Sequence, residues 1–365
     1  MRYDKNDVMS SGQLFAFIAS SIVGTGMLSL ASAVSEVAGR DGWISTIIGG
    51  LVVLIGTLII IQLAKRFPNE TFIEYIHKIT GKFLGYIIVF LYILFSISSS
   101  AIVLRSLAYL LNTWFLRYTP KGVIIFFMII LCVYLSRNGI KVLARFSQIT
   151  FFILLPLVIL IFPPVISNPT FYNIRPVGNE GILNILKGVM PAIYSFLGFE
   201  VLLVYFPFVK PRKKVTKSAV GSIVFVVTIY TLIVLVQLIV FPQSSIMQMW
   251  MPTINYVLDV RLPFLERVDL AFIYFWIYAI FTTATIQFYT ATVEIKQLFK
   301  LSDRKNICLY LAPIVFIGAI SPDNLVEITK ITDIISKVGV VVTLVIPTVL
   351  LVLSVIFSKR SENNV

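Results

Sequence analysis

The sequence predicts an all-α membrane protein with ten transmembrane helices, arranged as an inverted repeat of five plus five. Three observations support this: a shortage of charged residues, ten long apolar runs, and an odd number of runs in each half. Of the 365 residues, 58% are hydrophobic and only 13% are charged, whereas soluble domains carry about 25% charged residues. The composition excludes a water-soluble domain. It also excludes a disordered chain, because disorder requires low hydrophobicity.

Ten apolar runs come close to the ~20 residues that a helix needs to cross a bilayer. We number them span 1 to span 10. Their approximate limits are 12–35, 42–64, 83–113, 121–136, 146–163, 187–208, 216–241, 266–295, 306–320 and 334–357. The sequence therefore predicts that residues 1–365 form a single integral membrane domain, with the lipid bilayer as its solvent.

The charged residues indicate how the spans are oriented. The chain has 30 Lys and Arg against 17 Asp and Glu, a net charge of +13. With the N-terminus in the cytoplasm, twenty basic residues face the cytoplasm, nine face the other side, and Arg105 lies within span 3. Cytoplasmic loops of membrane proteins carry such an excess of Lys and Arg. We therefore expect both termini in the cytoplasm, and no nucleic-acid partner is needed to explain the charge.

The connector 164–186 divides the spans into two groups of five. The first group, about 12–163, and the second, about 187–357, each contain an odd number of spans. The second group must therefore enter the membrane from the opposite side. If the two groups share a fold, they form an inverted repeat, as in many secondary transporters.

Spans 1 and 6 each contain a predicted interruption at matching places in the two halves. Span 1 carries Gly24, Thr25 and Gly26 at its middle, and each glycine weakens a helix by about 1 kcal/mol relative to alanine. Span 6 carries Pro191 and then the run SFLGFE at 195–200. Close helix packing through small residues is the alternative explanation for span 1 alone.

An interrupted span exposes backbone groups that must line a polar cavity, because unpaired groups in hydrocarbon cost several kcal/mol each. The N-terminal end of a half-helix favours a carboxylate, and unwound carbonyls suit an ammonium group or a cation. A zwitterionic amino acid matches both requirements. The candidate ligand-binding residues at the breaks are Gly24, Thr25, Gly26, Ser195, Phe196, Leu197 and Gly198.

Glu200 is the carboxylate placed most deeply within a predicted span. An acid inside the membrane costs roughly 2.5–3.5 kcal/mol and is a functional candidate by default. Glu200 is predicted to be a gate, or a latch that stabilises the break in span 6. The alternative is a neutral carboxyl that only caps freed backbone groups. Arg105 is expected to extend its long side chain towards the membrane surface, and pairing with Glu200 is a second possibility.

The sequence contains no predicted metal site, cofactor site or catalytic centre. It has one histidine, His77, and two isolated cysteines, Cys132 and Cys308, without ligand spacing. No nucleophile and base occur together within the spans, so we expect that the chain is not an enzyme. The apolar, aromatic connector 242–265 is either an interfacial helix over an outer vestibule or a simple anchor through Trp250.

The run VGTGML at 23–28 resembles the first-helix glycine motif of the amino acid–polyamine–organocation transporter superfamily, and SFLGFE at 195–200 resembles its sixth-helix motif. Within that superfamily, the chain looks most like the B subunits of bacterial spore germinant receptors of the GerA type. This narrower resemblance covers essentially the whole chain. It depends on the length, the ten spans, the connector NIRPV at 173–177, the run 195–200 and the basic run 210–217.

The resemblance implies a leucine-transporter-like fold in the inner membrane of a spore. It also implies a small germinant, which the chemistry above predicts to be an amino acid, together with A and C partner subunits. In that fold span 8 flanks the substrate site, so Thr283 and Gln287 are candidate ligand residues. They begin a polar stripe at helical spacing that continues through Thr290 and Glu294, with hydrogen bonding between helices as the alternative.

Two further points follow from the resemblance. Ser99, in span 3, is a small polar position at similar depth and is the last candidate ligand residue. Proton-coupled relatives are expected to place a lysine in span 5, but 146–163 contains none, and Arg145 at its edge is a speculative substitute. The missing lysine argues against proton-coupled uptake. The alternative to a ligand sensor is a secondary amino-acid transporter that works by alternating access.

Overall fold

The computed structural model describes most of the chain, and its described residues are 8–167, 169–260, 267–301 and 303–360. Both chain ends lie outside these ranges, so the predicted cytoplasmic position of the termini stays a prediction. Arg2, Lys5 and Arg261, which contribute to the charge count, also lie outside them. Within the described residues the chain contains helices and no β-strand, apart from an isolated bridge between Met9 and Val209.

The first half of the chain forms spans 1 to 5. Its described α-helices are α1 (Ser11–Ile22), α2 (Gly26–Ala38), α3 (Gly42–Arg66), α4 (Phe72–Thr80), α5 (Lys82–Trp114), α6 (Lys121–Arg137), α7 (Ile140–Leu154) and α8 (Phe162–Ser167). Span 1 consists of α1 and α2. Span 5 consists of α7 and α8, joined by a 3-10 segment, Leu155–Ile161.

The second half forms spans 6 to 10. Its described α-helices are α9 (Gly181–Ser195), α10 (Val201–Tyr205), α11 (Val215–Val240), α12 (Gln243–Gln248), α13 (Pro252–Leu258), α14 (Val268–Leu298), α15 (Arg304–Ile320), α16 (Leu325–Val340) and α17 (Ile346–Ile356). Span 6 consists of α9 and α10. Span 10 consists of α16 and α17, joined by a π-helical segment, Val341–Val345.

The helices match the ten predicted spans, although they are not all continuous. Six continuous helical stretches of the described chain are at least 18 residues long and apolar enough to cross a membrane. The helices of spans 4 and 9 have 17 residues each, and the helices of spans 1 and 6 are divided. The interruptions therefore fall in the first helix of each five-span half, as the sequence predicts.

Two spans begin earlier than their hydropathy suggests. Span 10 begins at Leu325, and Asn324 caps its helix by accepting a hydrogen bond from the Glu327 backbone N–H at 3.0 Å. Span 6 begins at Gly181. The extra helical turns at the start of span 10 carry charged residues such as Lys330 and Asp333. A search for apolar runs cannot detect these turns, because they continue the helix beyond the apolar region.

Packing between the halves brings the interrupted spans to the centre of the bundle. Span 1 packs against α7, α11 and α14, while α9 of span 6 packs against α2 and α3. The long helices α5 and α14 form the most extensive contact between two elements. We call the end of the bundle that carries the connectors 65–82, 137–145, 206–217 and 296–305 the basic end.

Candidate ligand site at the two interrupted helices

The break in span 1 covers residues 23–25, where the chain leaves helical geometry between α1 and α2. It frees backbone carbonyls, and side chains from other spans donate hydrogen bonds to them. The Trp276 indole N–H donates to Gly24 O at 3.2 Å, and the Tyr230 hydroxyl donates to Ile22 O at 3.1 Å. The Thr283 hydroxyl lies 3.1 Å from Val23 O. Because unpaired groups would be costly at this depth, these donors maintain the break.

Two glycines allow the neighbouring chains to approach this break. A Cβ added to Gly24 would lie 2.9 Å from Thr283 Oγ1, which is the movable end of a side chain. A Cβ added to Gly26 would lie 3.0 Å from the Ser195 Cα, which is backbone. The start of α2 therefore lies directly against the end of α9, and Gly26 is the residue that permits this approach.

The break in span 6 covers residues 196–200, and it contains its own hydrogen-bond acceptor, the Glu200 carboxylate. Glu200 Oε2 accepts a hydrogen bond from the Gly198 backbone N–H at 2.8 Å. The Gln287 amide donates to Glu200 Oε1 at 2.9 Å. Gly198 has φ +124°, a conformation that glycine adopts readily and other residues do not.

The two breaks also contact each other directly. The Ser21 hydroxyl donates to Gly198 O at 2.8 Å, and a Cβ at Gly198 would lie only 2.3 Å from Ser21 O. Spans 1 and 6 are thus interlocked by backbone contact on both sides of their interruptions.

A cavity of about 780 Å³ lies above this contact, at the end of the bundle opposite the basic end. We call it the vestibule. Thr25, Gly26 and Ser195 form its floor. Its walls come from α2, α9 and α16, and the segment Met247–Met251 between α12 and α13 also lines it. The connector 242–265 therefore contributes to the wall of the vestibule, while Trp250 also contacts the ring of Tyr109, with centroids 5.0 Å apart.

The predicted site residues fall into three groups. Thr25, Gly26 and Ser195 line the vestibule. A second group supports the breaks without lining the cavity. It consists of Gly24, Gly198, Glu200, Thr283 and Gln287.

The third group lies away from the vestibule floor. The ring of Phe196 stacks on that of Tyr230, with centroids 5.0 Å apart, and Leu197 packs where Gly339 leaves room on α16. Ser99 is buried within α5 and is not part of the vestibule lining. Contact of any of these residues with a ligand stays a prediction.

Several residues of the site were not expected from the sequence. Trp276 and Tyr230 are donors to span 1, and Ser21 is the donor to span 6. Trp276 lies seven residues before Thr283, which places both on one helix face. The sequence would have indicated Trp276 if the polar stripe of span 8 had been defined to include aromatic N–H donors. Tyr230 and Ser21 carry no comparable signal.

A second set of buried polar contacts lies nearer the basic end. The Ser96 hydroxyl donates to Glu294 Oε2 at 3.1 Å, and the Tyr205 and Thr290 hydroxyls lie 3.0 Å apart. These contacts join α5, α10 and α14, so Thr290 and Glu294 of the polar stripe connect helices rather than line the vestibule.

Arg105 is placed away from Glu200. It is buried in α5, and the acidic residues within its electrostatic range are Asp323 and Glu327, at the end opposite the basic end. Extension of its long side chain towards the membrane surface stays a prediction. Among the described residues, no group of three or more His, Cys, Asp or Glu side chains could hold a metal ion.

The basic end of spans 1 and 6 is closed by backbone pairing. The Met9 N–H donates to Phe208 O at 2.9 Å, and the Lys210 N–H donates to Met9 O at 3.0 Å. The segment before α1 is thus fastened to the segment after α10. In this structure the vestibule floor is separated from the basic end by the interlocked breaks and by this pairing.

The interrupted first helix of each half, the paired five-span repeats and the central cavity define a membrane protein with a leucine-transporter-like fold. Solved structures agree. MhsT in complex with L-phenylalanine superposes with a TM-score of 0.69 at 15% identity, covering 96% of this chain and 89% of that one. Mhp1, a nucleobase-cation-symport transporter with bromovinylhydantoin bound, superposes with a TM-score of 0.65 at 11% identity, covering 93% and 80%.

Sequence comparison identifies the family. The family model described as "Spore germination protein" matches residues 8–328, and the chain belongs to this family. Spore germination protein YndE of Bacillus subtilis (strain 168) is 27% identical over 97% of this chain and 98% of its own length. GerQB of Bacillus cereus is 24% identical over 85% of this chain and 84% of its own. The chain is therefore an integral membrane protein related to spore germination.

Proposed function

We propose that the chain is the ligand-sensing membrane subunit of a spore germinant receptor, and that it binds a small germinant, an amino acid, on the floor of the vestibule. The observation that carries this proposal is the meeting of Thr25, Gly26 and Ser195 beneath a cavity of about 780 Å³. The proposal places the chain in the inner membrane of a spore with both termini in the cytoplasm. It assigns no chemical step to the chain.

The floor offers both polarities that a zwitterion requires. The helix α2 begins at Gly26, so its first backbone N–H groups lack partners within the helix and favour a carboxylate. The helix α9 ends at Ser195, where its last carbonyls favour an ammonium group. Because Gly26 and Ser195 are in contact, one small ligand can reach both helix ends. The solved relative MhsT holds L-phenylalanine, which is consistent with an amino acid here.

Signalling requires that the ligand prefer one arrangement of the bundle, since only differential affinity shifts an equilibrium. The half-helices α1 and α10 extend from the two breaks to the basic end, where Met9 pairs with Phe208 and Lys210. A change of angle at either break would alter this pairing. We propose that the A and C subunits of the receptor detect that change.

The alternative is a secondary amino-acid transporter that uses the same site with alternating access, and the transporter fold of the solved relatives favours it. Uptake into liposomes separates the two functions. Accumulation of labelled amino acid against a gradient by the purified chain would establish transport and contradict a pure sensor. Saturable binding without accumulation is expected for the sensor.

The binding site itself is tested with purified full-length chain and a thermal-unfolding screen of amino acids, sugars and nucleosides. A ligand at 100 times its Kd stabilises a protein by about 2.7 kcal/mol, which raises Tm measurably. We expect an amino acid to raise Tm in the wild type and not in Gly26→Val, whose side chain would displace Ser195.

Gly12→Val is the matched control, because Gly12 lies in the same span and has no atom within 4 Å of an added Cβ. It should retain the ligand-induced shift. A full shift in Gly26→Val would contradict the floor site. A wild-type response to sugars or nucleosides alone would contradict the amino-acid ligand.

A further inference from the structure

A second large cavity lies far from the two breaks, in the groove between α6 of span 4 and α15 of span 9. Its volume is about 1070 Å³. Phe126, Ile130 and Tyr134 line the α6 side. Leu309, Pro313 and Phe316 line the α15 side. The rings of Phe126 and Phe316 meet edge to face, with centroids 6.5 Å apart, and they close the groove at its deep end.

The other end of the groove has a basic rim. Arg137 is the last residue of α6, and Arg304 and Lys305 begin α15. Arg137 and Lys305 are exposed, and among the described residues neither forms an ion pair with a carboxylate. Asp303 is the acidic residue beside the rim, and its carboxylate accepts the Lys305 backbone N–H at 2.9 Å. The rim therefore retains a net positive charge.

Arg304 has a fixed orientation at this rim. Its Nη1 donates to the Tyr289 hydroxyl at 2.7 Å, and its guanidinium lies over the Tyr289 ring, 5.2 Å from the centroid. The N-terminus of the 17-residue helix α15 is at the same place, and the positive end of a helix favours an anion. The rim thus combines two exposed cations, a guanidinium held by Tyr289, and the positive end of a helix dipole.

The groove has the length of one membrane leaflet. Arg137 and Phe126 are eleven positions apart on α6, and Lys305 and Phe316 are eleven positions apart on α15. At 1.5 Å per residue both walls are about 17 Å long, compared with about 15 Å for half of the hydrocarbon core of a bilayer. A molecule with an anionic head at the rim and an apolar chain along the walls matches this shape.

We propose that this groove binds an anionic phospholipid, with its phosphate at Arg137 and Lys305 and one acyl chain between α6 and α15. Basic pockets between transmembrane helices on the cytoplasmic side bind acidic lipid head groups. A partner helix fits less well, because helices associate in membranes through small residues, and these walls are lined mainly by large side chains, with Ala312 as the small residue among them. Phe126 is 53% exposed and Leu309 is 47% exposed, as expected for lipid-facing residues.

The test measures thermal unfolding of the purified full-length chain with added phosphatidylglycerol, phosphatidylcholine or inorganic phosphate. We expect phosphatidylglycerol to raise Tm far more than the other two. In Arg137→Gln/Lys305→Gln, its apparent affinity should fall about 30-fold, since each basic group near a membrane surface contributes roughly a fivefold factor. Mass spectrometry of lipids that co-purify should show the same loss.

The matched control is Lys213→Gln/Lys214→Gln, which removes two exposed charges at the same end of the bundle, outside the groove. It should retain wild-type affinity for phosphatidylglycerol. A second variant, Ala312→Trp, fills the wall of the groove without changing its charge and should reduce lipid retention. Equal loss in the control would show a general surface effect and contradict the proposal.

Three other outcomes would also overturn it. Equal stabilisation by phosphatidylcholine would remove the charge requirement, and stabilisation by inorganic phosphate alone would indicate a free-anion site. The third concerns a protein occupant. If Ile130→Cys becomes protected from a thiol reagent only when the other receptor subunits are co-expressed, and never by phosphatidylglycerol, the groove is a protein interface.

Discussion

The two interrupted helices satisfy their freed backbone groups in different ways. At the break in span 1 the freed groups are carbonyls, and the donors Trp276, Tyr230 and Thr283 come from spans 7 and 8. At the break in span 6 the freed N–H of Gly198 is bound by Glu200, which belongs to the same break. One break depends on its neighbours, and the other carries its own acceptor.

Because of this difference, we expect the two breaks to have different roles in a conformational change. Movement of span 7 or span 8 would remove donors from span 1, so the geometry of that break is coupled to the rest of the bundle. The break in span 6 has one hydrogen bond that involves no other span, from the Gly198 N–H to Glu200, although Ser21 of span 1 also donates to Gly198 O. Among the described residues, this break's hydrogen bond to span 8 is the one that Gln287 donates to Glu200. Span 6 is therefore expected to act as the stable reference and span 1 as the responsive element.

The largest effect is expected from Gly198→Ala. The backbone at Gly198 has φ +124°, and an added Cβ would lie 2.3 Å from Ser21 O, a backbone atom of the other break. Strain of this kind costs about 1–3 kcal/mol before the clash is included. We expect a loss of at least about 3 kcal/mol, seen as a large fall in yield and Tm.

Gly12→Ala provides the comparison for that variant. Gly12 lies in α1, and an added Cβ there meets no atom within 4 Å. Because alanine favours a helix over glycine by up to about 1 kcal/mol, its Tm should be unchanged or slightly raised. If the two variants had the same Tm, the close approach of spans 1 and 6 would not be required for folding.

The next effect distinguishes the two interpretations of Glu200 through Glu200→Ala and Glu200→Gln. Alanine leaves the Gly198 N–H and the Gln287 amide without their acceptor, at about 1–3 kcal/mol for each buried donor. Glutamine can still accept from Gly198. Gln287 can then turn its amide so that Oε1, which has no partner among the described residues, accepts from the new side chain.

If Glu200 only caps the break, Glu200→Gln should keep most of the wild-type Tm and ligand response, while Glu200→Ala loses about 2–6 kcal/mol of stability. If Glu200 is a gate that depends on its charge, Glu200→Gln should keep the Tm and lose the response to ligand. Thermal unfolding and ligand titration on the same three proteins separate these results.

The fold could be predicted from the sequence because its signals are local. A membrane span is recognisable from its own ~20 residues, and the glycines that weaken span 1 lie next to each other in the sequence. Span 10 shows the limit of this reasoning. Its helix begins at Leu325 rather than near residue 334, because charged residues continue the helix beyond the apolar window.

The candidate site was less predictable because its partners are distant in sequence. Trp276 donates to a backbone carbonyl 252 positions away. Every residue has a backbone carbonyl, so a sequence pattern cannot indicate which one accepts the hydrogen bond. Phe196 and Leu197 were predicted from their place in the motif. The turn at the break directs them to Tyr230 and Gly339 instead, which spacing along the chain does not indicate.

The smallest effect, and the most direct test of the coupling of span 1 to its neighbours, is expected from Trp276→Phe and Tyr230→Phe. Each variant removes one donor to the break. Tyr230→Phe removes little else and should cost about 1 kcal/mol, and somewhat more if the carbonyl stays unpaired. Trp276→Phe also removes part of a buried ring system, so its cost should be larger by a cavity contribution. Tyr310→Phe, at a side chain that is 75% exposed, should leave Tm unchanged.

The effect of these two variants on ligand binding tests whether span 1 responds to its neighbours more than span 6 does. Because the donors maintain the break on which Gly26 presents the start of α2, their loss should weaken the ligand-induced Tm shift more than it lowers the unliganded Tm. Glu200→Gln, at the break that contains its own acceptor, serves as the reference for stability. If Trp276→Phe and Tyr230→Phe lower Tm and leave the ligand response intact, span 1 is no more dependent on its neighbours than span 6, and the division between a responsive and a stable break is wrong.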